Sequence, residues 1–485
     1  MNARWLGYRV HVTWHFTAFC LATVVGLGWS TNQSVAWLAN LLWLLVALSM
    51  LSLVLWRQAR WMLVLAVLAG LLLGLSRGAY DAADRTRYQP MIGQVVALQG
   101  TVYEDIDRGR RGELTLRLAE VRHEGQALPA QVWVALEGEA DVRRSDIVQV
   151  RAKLDQGFGS FAASMYRAKL IETKRPSPGD VALEVREDFG EKVRLGVDEP
   201  SASLGMGYLT GQRRSLPESL DDALRVAGLT HVVVASGYNL TILVRFMRRL
   251  LAKHSRYLTA FGSVLLIGGF IAVTGMSPSM SRAGLVAGLA LGAWYIGRKF
   301  HPVTLLAFAA AVTGLVEPSY VWGNLGWQLS FAAFAGVMIL APLGQRYFFG
   351  ERQPGSIRQI LGETTAAQIV TAPLLMHSFG YFSNVALIAN LFILPLIPLA
   401  MLLTFIAGLS GYVIPQAAGL VALPAQWLLD YMVWVAMTTA GQSWALTELT
   451  LPLWGVGVCF VAIIAGCWYM QRATRYQLRD SSIID

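Results

Sequence analysis

The sequence predicts a polytopic α-helical membrane protein of about 12 spans, with a small all-β, OB-like domain inserted on the extracytoplasmic side. Of the 485 residues, 55% are hydrophobic and only 15% are charged, whereas soluble domains carry about 25% charged residues. Apolar stretches of about 18 residues or more, which suit a transmembrane helix, recur along the chain. Charged residues concentrate in one run, 77–200. This composition excludes a cytosolic enzyme, a secreted disulfide scaffold and a disordered protein.

The N-terminal unit, 1–76, contains three predicted spans, at 12–29, 35–56 and 61–76. The loop 30–34 has no Lys or Arg, whereas the loop 57–60 contains Arg57 and Arg60. Cytoplasmic loops carry the excess of positive residues. The N-terminus and the loop 57–60 are therefore predicted in the cytoplasm, and the chain that follows the third span is predicted outside.

Residues 89–176 predict a small β domain. Five short segments alternate apolar and polar residues and are separated by turn signals such as Glu124-Gly125. The segments are Val95–Tyr103, Glu113–Arg122, Ala130–Leu136, Ile147–Leu154 and Tyr166–Glu172. Five short strands in so small a domain predict a closed barrel, and an OB-fold is the most economical arrangement.

The rest of the chain returns to the membrane. Residues 185–227 mix charged and apolar positions, which predicts amphipathic helices at the membrane surface. The domain 228–470 carries nine predicted spans, at 228–247, 257–276, 281–297, 302–316, 325–343, 359–380, 384–411, 416–440 and 451–470. Basic residues fall on alternate loops and on the tail 471–485, which predicts that both termini are cytoplasmic. Pro395 and Pro398 favour a broken or re-entrant helix in the seventh of these spans.

The first of these nine spans contains polar residues that are unusual at membrane depth. His231, Ser236 and Asn239 are polar, and Gly237 is able to break the helix. Such groups occur where the chain lines a wet cavity. They also mediate ordinary packing between helices. Both hypotheses stay open.

Four more polar residues lie in or near spans. Arg282, near a span end, either snorkels to the surface or lines a passage. Gln328 and Ser330 lie at the entrance of another span. Asp430 lies in the middle of a span, where a carboxylate is either a functional group or a buried structural partner.

Motifs for an energy source or a hydrolytic centre are missing from the sequence. It contains no phosphate-binding GxxxxGK[ST] loop and no HExxH motif, and its seven His residues lack ligand spacing. The three Cys residues lie in apolar stretches. The sequence therefore predicts no enzyme activity, no metal and no cofactor.

The order of the polar motifs resembles the ComEC family of inner-membrane DNA-uptake channels of natural competence. The family's Gly-Leu-x-His motif appears as Gly228-Leu229-Thr230-His231. Its Ser-Gly-x-His motif appears as Ser236-Gly237-Tyr238-Asn239, with Asn239 in place of the final His. Further matches are Leu209, Thr210, Gly211, Gly275, Ser277, Pro278, Ser279, Arg282, Ala283, Gly326, Gln328, Leu329, Ser330, Phe331, Gln368, Pro373, Asn384, Asn390 and Pro395.

Family members often continue into a metallo-β-lactamase-like domain. This chain is expected to be either a short form without that domain or a truncated member, and in both cases no nuclease is predicted. The resemblance extends over 200–400, and the arrangement of three N-terminal spans followed by an external barrel agrees with it.

The resemblance implies a channel in the cytoplasmic (inner) membrane that passes single-stranded DNA during natural transformation. The implied partners are single-stranded DNA, an external DNA receptor, a cytoplasmic ATP-driven motor or helicase, membrane lipids and, as an option, further copies of the chain. Candidate channel-lining residues are His231, Ser236, Gly237, Asn239, Arg282, Gln328 and Ser330. Candidate DNA-binding residues are Arg108, Arg110, Arg111, Arg143, Arg144, Lys174 and Arg175. Candidate base-stacking residues are Tyr103, Trp133, Phe158, Phe161 and Tyr166, although a place in the barrel core is expected for Trp133.

Two other function classes stay open. Asp430 as a proton site and the barrel as a sugar binder would suit a proton-coupled transporter of a small solute or a glycan. Ser236 and His231 as nucleophile and base would suit a membrane enzyme. Their five-residue spacing does not place them on one helix face, so this class ranks last.

Overall fold

The computed structural model describes residues 11–30, 33–109, 112–138, 140–212, 215–233, 237–251, 253, 255–275, 277–297, 301–351 and 354–476. The chain divides into two compact units. The first unit comprises Met1–Asp180 and Val303–Gln328, and the second comprises Val181–Pro302 and Leu329–Asp485.

Helices account for most of the described chain. They are α1 Val12–Trp29, α2 Leu41–Arg57, α3 Met62–Thr86, α4 Val181–Arg194, α5 Ser201–Thr210, α6 Glu218–Val226, α7 Thr230–Val233, α8 Gly237–Leu251, α9 Arg256–Thr274, α10 Pro278–Ile296, α11 Pro302–Val316, α12 Ser319–Gly323, α13 Leu325–Ala335, α14 Ala341–Phe349, α15 Ser356–Phe379, α16 Ala386–Ile393, α17 Ile397–Val413, α18 Ala418–Ala440 and α19 Leu453–Thr474. A π-helical turn at Gly336–Leu340 joins α13 to α14.

The strands form one barrel and one small hairpin-like pair. They are β1 Val95–Val102, β2 Asp107–Arg108, β3 Leu114–His123, β4 Gln126–Ala127, β5 Val132–Leu136, β6 Ile147–Gln156, β7 Ala163–Lys174, β8 Tyr381–Ser383 and β9 Leu446–Glu448. The five main barrel strands agree with the five predicted segments to within about three residues at each end.

The barrel closes in the order β1–β3–β5–β7–β6–β1, with β5 and β7 parallel and the other pairs antiparallel. This order fits an OB-fold, as the sequence predicts. Strand β1 pairs with β3 and β6 because it bends at a bulge beside Gly100, where a Cβ would lie 3.0 Å from Leu118 Cβ. Alternate residues fill the interior; fully buried examples are Leu98, Leu116, Leu118, Val134, Val150, Leu154 and Met165.

The first unit also contains tightly packed helices. A Cβ built on Gly70 would lie 2.2 Å from the Phe19 carbonyl oxygen, and one on Gly74 would lie 2.2 Å from that of Thr23. Small residues at four-residue spacing thus let α1 and α3 approach backbone to backbone, as in many membrane helix pairs.

Seven helical segments of the described chain are long and apolar enough to cross a membrane. They are Val12–Trp29, Met62–Met91, Arg256–Thr274, Leu325–Phe349, Ala386–Val413, Pro415–Ala440 and Leu453–Thr474. Helices α2 and α11 are apolar but shorter. The prediction of a helical membrane protein with one small β domain is confirmed, whereas the number of spans stays a prediction.

One predicted span is interrupted, and another is described only in part. The span predicted at 228–247 forms α7 and α8, and residues 234–236 between them lie outside the described residues. The span predicted at 384–411 breaks at Leu394–Leu396 between α16 and α17. Pro395 lies in this break, as expected for a residue that cannot donate a backbone hydrogen bond.

The prediction of amphipathic surface helices over 185–227 is wrong for its middle part. Helix α5 buries nine of its ten residues, so it belongs to the interior of the second unit. Its small residues allow close contact: a Cβ on Gly205 would lie 2.7 Å from Thr404 Oγ1 of α17. Helix α6 is amphipathic, because it buries Leu220, Ala223 and Leu224 beside an exposed charged face.

Candidate functional site

Asn239, the last residue of the motif Ser236-Gly237-Tyr238-Asn239, is completely buried. It is 0% exposed on α8, and its Nδ2 donates to the Tyr208 carbonyl oxygen at 3.0 Å. It also donates to the carbonyl oxygen of Val232 at 3.3 Å. Asn239 therefore connects α8 to α5 and α7, which gives it a packing role whatever else it does.

The other residues of this segment lie differently. His231 is exposed, and its Nδ1 lies 3.0 Å from the Gly228 carbonyl oxygen. Ser236 lies outside the described residues. A Cβ on Gly237 would lie 3.3 Å from Ala283 Cβ, which places the start of α8 against the first turns of α10.

Arg282 is buried on α10 and is only 3% exposed. Its Nη2 donates to Ser279 Oγ at 2.9 Å, and its guanidinium carbon lies 5.0 Å from the centre of the Phe331 ring. The structure therefore brings Gly237, Arg282 and the helix that carries Ser330 into one neighbourhood of the second unit. The snorkelling alternative for Arg282 is wrong, because a snorkelling side chain keeps its charged end in water.

Gln328 lies in the first unit. Its Nε2 donates to the Val321 carbonyl oxygen at 3.0 Å, which ties α13 to α12. Ser330, two residues further along α13, is half-buried. Gln328 thus has a local partner on α12.

Sequence reasoning missed a group of buried polar oxygens along α5 and its neighbours. Each is buried and has no hydrogen-bond partner among the described residues; they are Ser203 Oγ, Tyr208 Oη, Gln212 Oε1, Asn390 Oδ1 and Thr404 Oγ1. Buried polar groups are nearly always hydrogen-bonded in proteins, to protein or to water. This part of the second unit therefore provides polar groups that suit water or a polar ligand.

Asp430 has structural partners within the second unit. It lies on α18, is exposed at its surface, and accepts hydrogen bonds from Ser201 Oγ and from Gln426 Nε2 at 2.7 Å. Ser201 is the first residue of α5, where unpaired backbone donors favour a negative charge. The Asp430 carboxylate is therefore exposed, whereas a structural carboxylate was expected to be buried. Its hydrogen bond with Ser201 at the start of α5 explains its presence without a transport role.

The barrel cations predicted to bind DNA are mostly paired. Arg144 is 7% exposed and lies 2.6 Å from Asp180 and 3.7 Å from Asp105. Arg143 lies 3.7 Å from Asp141. Arg175 lies 3.1 Å from Asp146.

Arg144 therefore belongs to a buried structural ion pair, and its prediction as a DNA-binding surface residue is wrong. The local sequence did not reveal its partner. Lys174 is exposed. Arg110 and Arg111 lie outside the described residues, as does the side chain of Arg108.

A second set of cations on the barrel was missed. Arg151 and Lys153 alternate on the outer face of β6, and Lys169 lies directly opposite Arg151 on β7. All three are exposed, and the structure shows no ion pair for them among the described residues. Two like charges opposite each other on neighbouring strands cost stability. The alternation of basic residues within the predicted strand was the signal that could have found them.

The barrel aromatics form a cluster on its outer surface, which we call the aromatic patch: Trp133, Phe158, Phe161 and Tyr166. Ring centres lie 5.4 Å apart for Trp133 and Phe158, 5.1 Å for Trp133 and Tyr166, and 5.6 Å for Phe158 and Phe161. The expectation that Trp133 fills the core is wrong, because it occupies the outward position between buried Val132 and Val134. Tyr103 lies apart and donates to Gln131 Oε1 at 2.7 Å.

Arg85 ties α3 to the barrel and to the α11–α12 connection within the first unit. It pairs with Asp81 at 2.7 Å and lies 3.8 Å from Glu317. Its Nη2 donates to the Ser160 carbonyl oxygen at 3.0 Å, and its guanidinium carbon lies 5.2 Å from the centre of the Trp322 ring. One side chain thus fixes the position of the barrel loop that carries Phe158 and Phe161.

Burial raises the pKa of Glu317 above its ordinary value of 4.5, and Asp81 adds to the rise. The hydrogen bond from Ser319 and the charges of Arg85 and Arg77 act in the opposite direction. The folded protein therefore binds this proton more tightly than the unfolded chain does. The stability that this proton contributes is complete below pH 4.5 and is lost as the pH rises through the raised pKa.

The Glu317→Gln variant should remove this pH dependence, because the amide does not titrate. We expect its melting temperature, compared with that of the wild type, to rise progressively as the pH increases from 4.5 through the raised pKa. Thermal unfolding of the purified protein in detergent across this range measures it. The Gln149→Ala variant, which alters no titrating group, is the control. If the difference in melting temperature between the variant and the wild type does not change with pH, the raised pKa of Glu317 is contradicted.

Among the described residues, no group of three or more His, Cys, Asp or Glu side chains is placed to hold a metal ion. The apolar helices, the barrel and the buried polar groups define a class of protein: a multi-helix membrane protein with an OB-fold domain and a polar interior in its helical unit. A family model described as "Competence protein" matches residues 208–473, more than half of the chain. The chain belongs to this family, and the resemblance to ComEC is confirmed.

Curated relatives agree with this membership. The chain is 29% identical over 372 residues to competence protein ComA of Neisseria gonorrhoeae, covering 73% of this chain and 47% of that protein. It is 22% identical over 210 residues to ComE operon protein 3 of Bacillus subtilis, covering 43% of this chain and 26% of that protein. It is 26% identical over 223 residues to an uncharacterized protein of Aquifex aeolicus, covering 46% and 50% respectively. The chain thus spans half the length of these relatives or less. No solved structure matches it.

Proposed function

We propose that this protein is an inner-membrane channel that carries single-stranded DNA into the cytoplasm during natural transformation. The observation that carries the proposal is the family match over 208–473, which includes Asn239, Arg282 and Ser330. The buried polar oxygens along α5 support it, because a hydrated strand needs polar groups inside the helical unit. A strand of bases and phosphates also requires positive charge along its path.

The outer face of β6 and β7 supplies exposed positive charge on the barrel. Arg151, Lys153 and Lys169 are spaced along two neighbouring strands, so together they suit the phosphates of one extended strand. In the proposed function these residues replace Arg143, Arg144 and Arg175 as the main barrel contacts, because the latter are paired with carboxylates.

Energy for transport comes, in this proposal, from partner proteins. An external receptor delivers the DNA and a cytoplasmic ATP-driven motor or helicase draws it inward. The chain itself performs no catalytic step. Its termini lie in the cytoplasm and its barrel lies outside, in agreement with the distribution of Arg and Lys among the loops.

Deletion of the gene should abolish entry of labelled DNA into the cytoplasm and leave its binding at the cell surface intact. Complementation with the wild-type gene should restore entry. Fluorescent DNA that becomes resistant to external nuclease measures the step. Normal DNA entry in the deletion strain would refute the channel. Loss of glycan or solute transport with normal DNA entry would instead establish the transporter.

A further inference from the structure

The aromatic patch lies at the level where the helices of the first unit end. The loop 157–162 that carries Phe158 and Phe161 rests directly on α12: a Cβ on Gly323 would lie 2.4 Å from the Gly159 carbonyl carbon. Helix α12 itself lies between the end of α11 at Val316 and the start of the apolar segment Leu325–Phe349.

Two arginines in the C-terminal half of α3, Arg77 and Arg85, hold the end of α11 and the loop 157–162. Arg77 donates to the carbonyl oxygens of Leu315 and Val316 at the end of α11, at 3.0 and 3.1 Å. Arg85, two turns further along α3, donates to Ser160 of the patch loop. The patch is therefore held at the height where apolar helices give way to polar connections, which in a membrane protein is the bilayer interface.

The chemistry of the patch suits this layer. Phe158 is 46% exposed and Tyr166 is 51% exposed, so large aromatic faces are turned outward. Trp and Tyr are enriched at membrane interfaces, because their apolar rings and polar edges match the headgroup boundary. The exposed Arg167 follows Tyr166 and is of the residue type that binds lipid phosphate.

The cations around the patch are of two kinds, paired on its β5 side and exposed on its β7 side. Arg117, directly opposite Trp133 on β3, is paired with Glu104 and, at 3.2 Å, with Asp107. Tyr166 of the patch lies on β7, which also carries the exposed Arg167 and Lys169 and pairs with β6. Exposed cations beside aromatic rings also suit single-stranded DNA, so the choice of lipid rests on the level of the patch at the helix ends.

We propose that the aromatic patch is a lipid-binding surface that seats the barrel in the interfacial layer of the bilayer. Its ligand is the boundary between phospholipid headgroups and acyl chains. This lipid contact keeps the barrel at a fixed height over the helices of its own unit, whether or not DNA is bound.

The test uses the full chain with Cys20, Cys459 and Cys467 replaced by Ser, because these are its free cysteines. A single new cysteine, Phe158→Cys, carries an environment-sensitive fluorophore. The matched control is Gln99→Cys, an exposed position on β1, which pairs with β3 and β6 and carries no ring of the patch. Both proteins are reconstituted in vesicles of phosphatidylcholine and phosphatidylglycerol with brominated acyl chains. We expect several-fold stronger quenching at position 158 than at position 99.

Equal quenching at the two positions would overturn the proposal. Protection of the position-158 probe from aqueous iodide by an oligo-deoxythymidine strand, without quenching by brominated lipid, would also overturn it and identify a nucleic-acid surface. If Phe158→Cys does not fold, Tyr166→Cys gives the same comparison from a neighbouring ring.

Discussion

Replacement of Arg282 by alanine is expected to lower DNA entry by roughly 10- to 100-fold, because one hydrogen bond to a charged group is worth about 1.5–3 kcal/mol. Arg282 is buried on the first turns of α10, close to a helix N-terminus, where a positive charge is unfavourable. Its hydrogen bond to Ser279 and its contact with the Phe331 ring offset part of this cost. We therefore expect transport to fall by a larger factor than the amount of folded protein in the membrane.

The matched variant is Arg282→Lys, which keeps the charge but loses the planar fork that holds phosphate oxygens bidentately. Its DNA entry should lie between those of the wild type and Arg282→Ala. Nuclease-resistant fluorescent DNA measures transport, and gel filtration in detergent with immunoblotting measures folded protein. Equal losses of folded protein and of DNA entry would show that Arg282 is structural.

Replacement of Arg144 by alanine is expected to destabilise the barrel by about 3–5 kcal/mol, because it leaves the largely buried Asp180 carboxylate without its Arg partner. The Arg144 side chain is 6% exposed and that of Asp180 is 15% exposed, so water compensates little. Hydrogen exchange of the segment 95–174, followed by mass spectrometry on the full chain, measures the loss. Unchanged protection of the strands would contradict this structural role.

Two controls separate stability from DNA binding. Lys174→Ala, an exposed residue of the same predicted group, should change stability by no more than about 0.5 kcal/mol. The combined variant Arg151→Ala, Lys153→Ala and Lys169→Ala should leave exchange protection unchanged. It should weaken single-stranded DNA binding and reduce its salt dependence, by about 0.7 in the logarithmic slope for each phosphate that the variant no longer neutralises.

The barrel illustrates what local sequence is able to predict. Side chains of a strand alternate between core and solvent, so the five strands were recognisable from their period of two residues. Their closure into an OB-fold followed from number and length alone. The break at Pro395 was equally predictable, because the missing backbone donor of proline is a property of that residue and needs no partner.

The partners of charged and polar residues were not predictable in this way. Arg144 and Asp180 are 36 residues apart in sequence, and Ser201 and Asp430 are 229 apart. From local sequence, Arg144 is a candidate DNA ligand and Asp430 a candidate proton site. The fold instead places Asp180 beside Arg144 and Ser201 beside Asp430. Trp133 was likewise expected inside the barrel, but its register on β5 turns it outward into the aromatic patch.

The sequence by itself therefore determined that this is a helical membrane protein with one inserted barrel, and that its polar motifs are those of the competence protein family. Hydrophobic content and periodicity are properties of many neighbouring residues together, so they predict structure without knowledge of the fold. Only the tertiary structure decided which cations are exposed and which aromatic rings face outward. That outcome depends on single contacts between distant segments, because one partner at hydrogen-bond distance changes whether a charge is available.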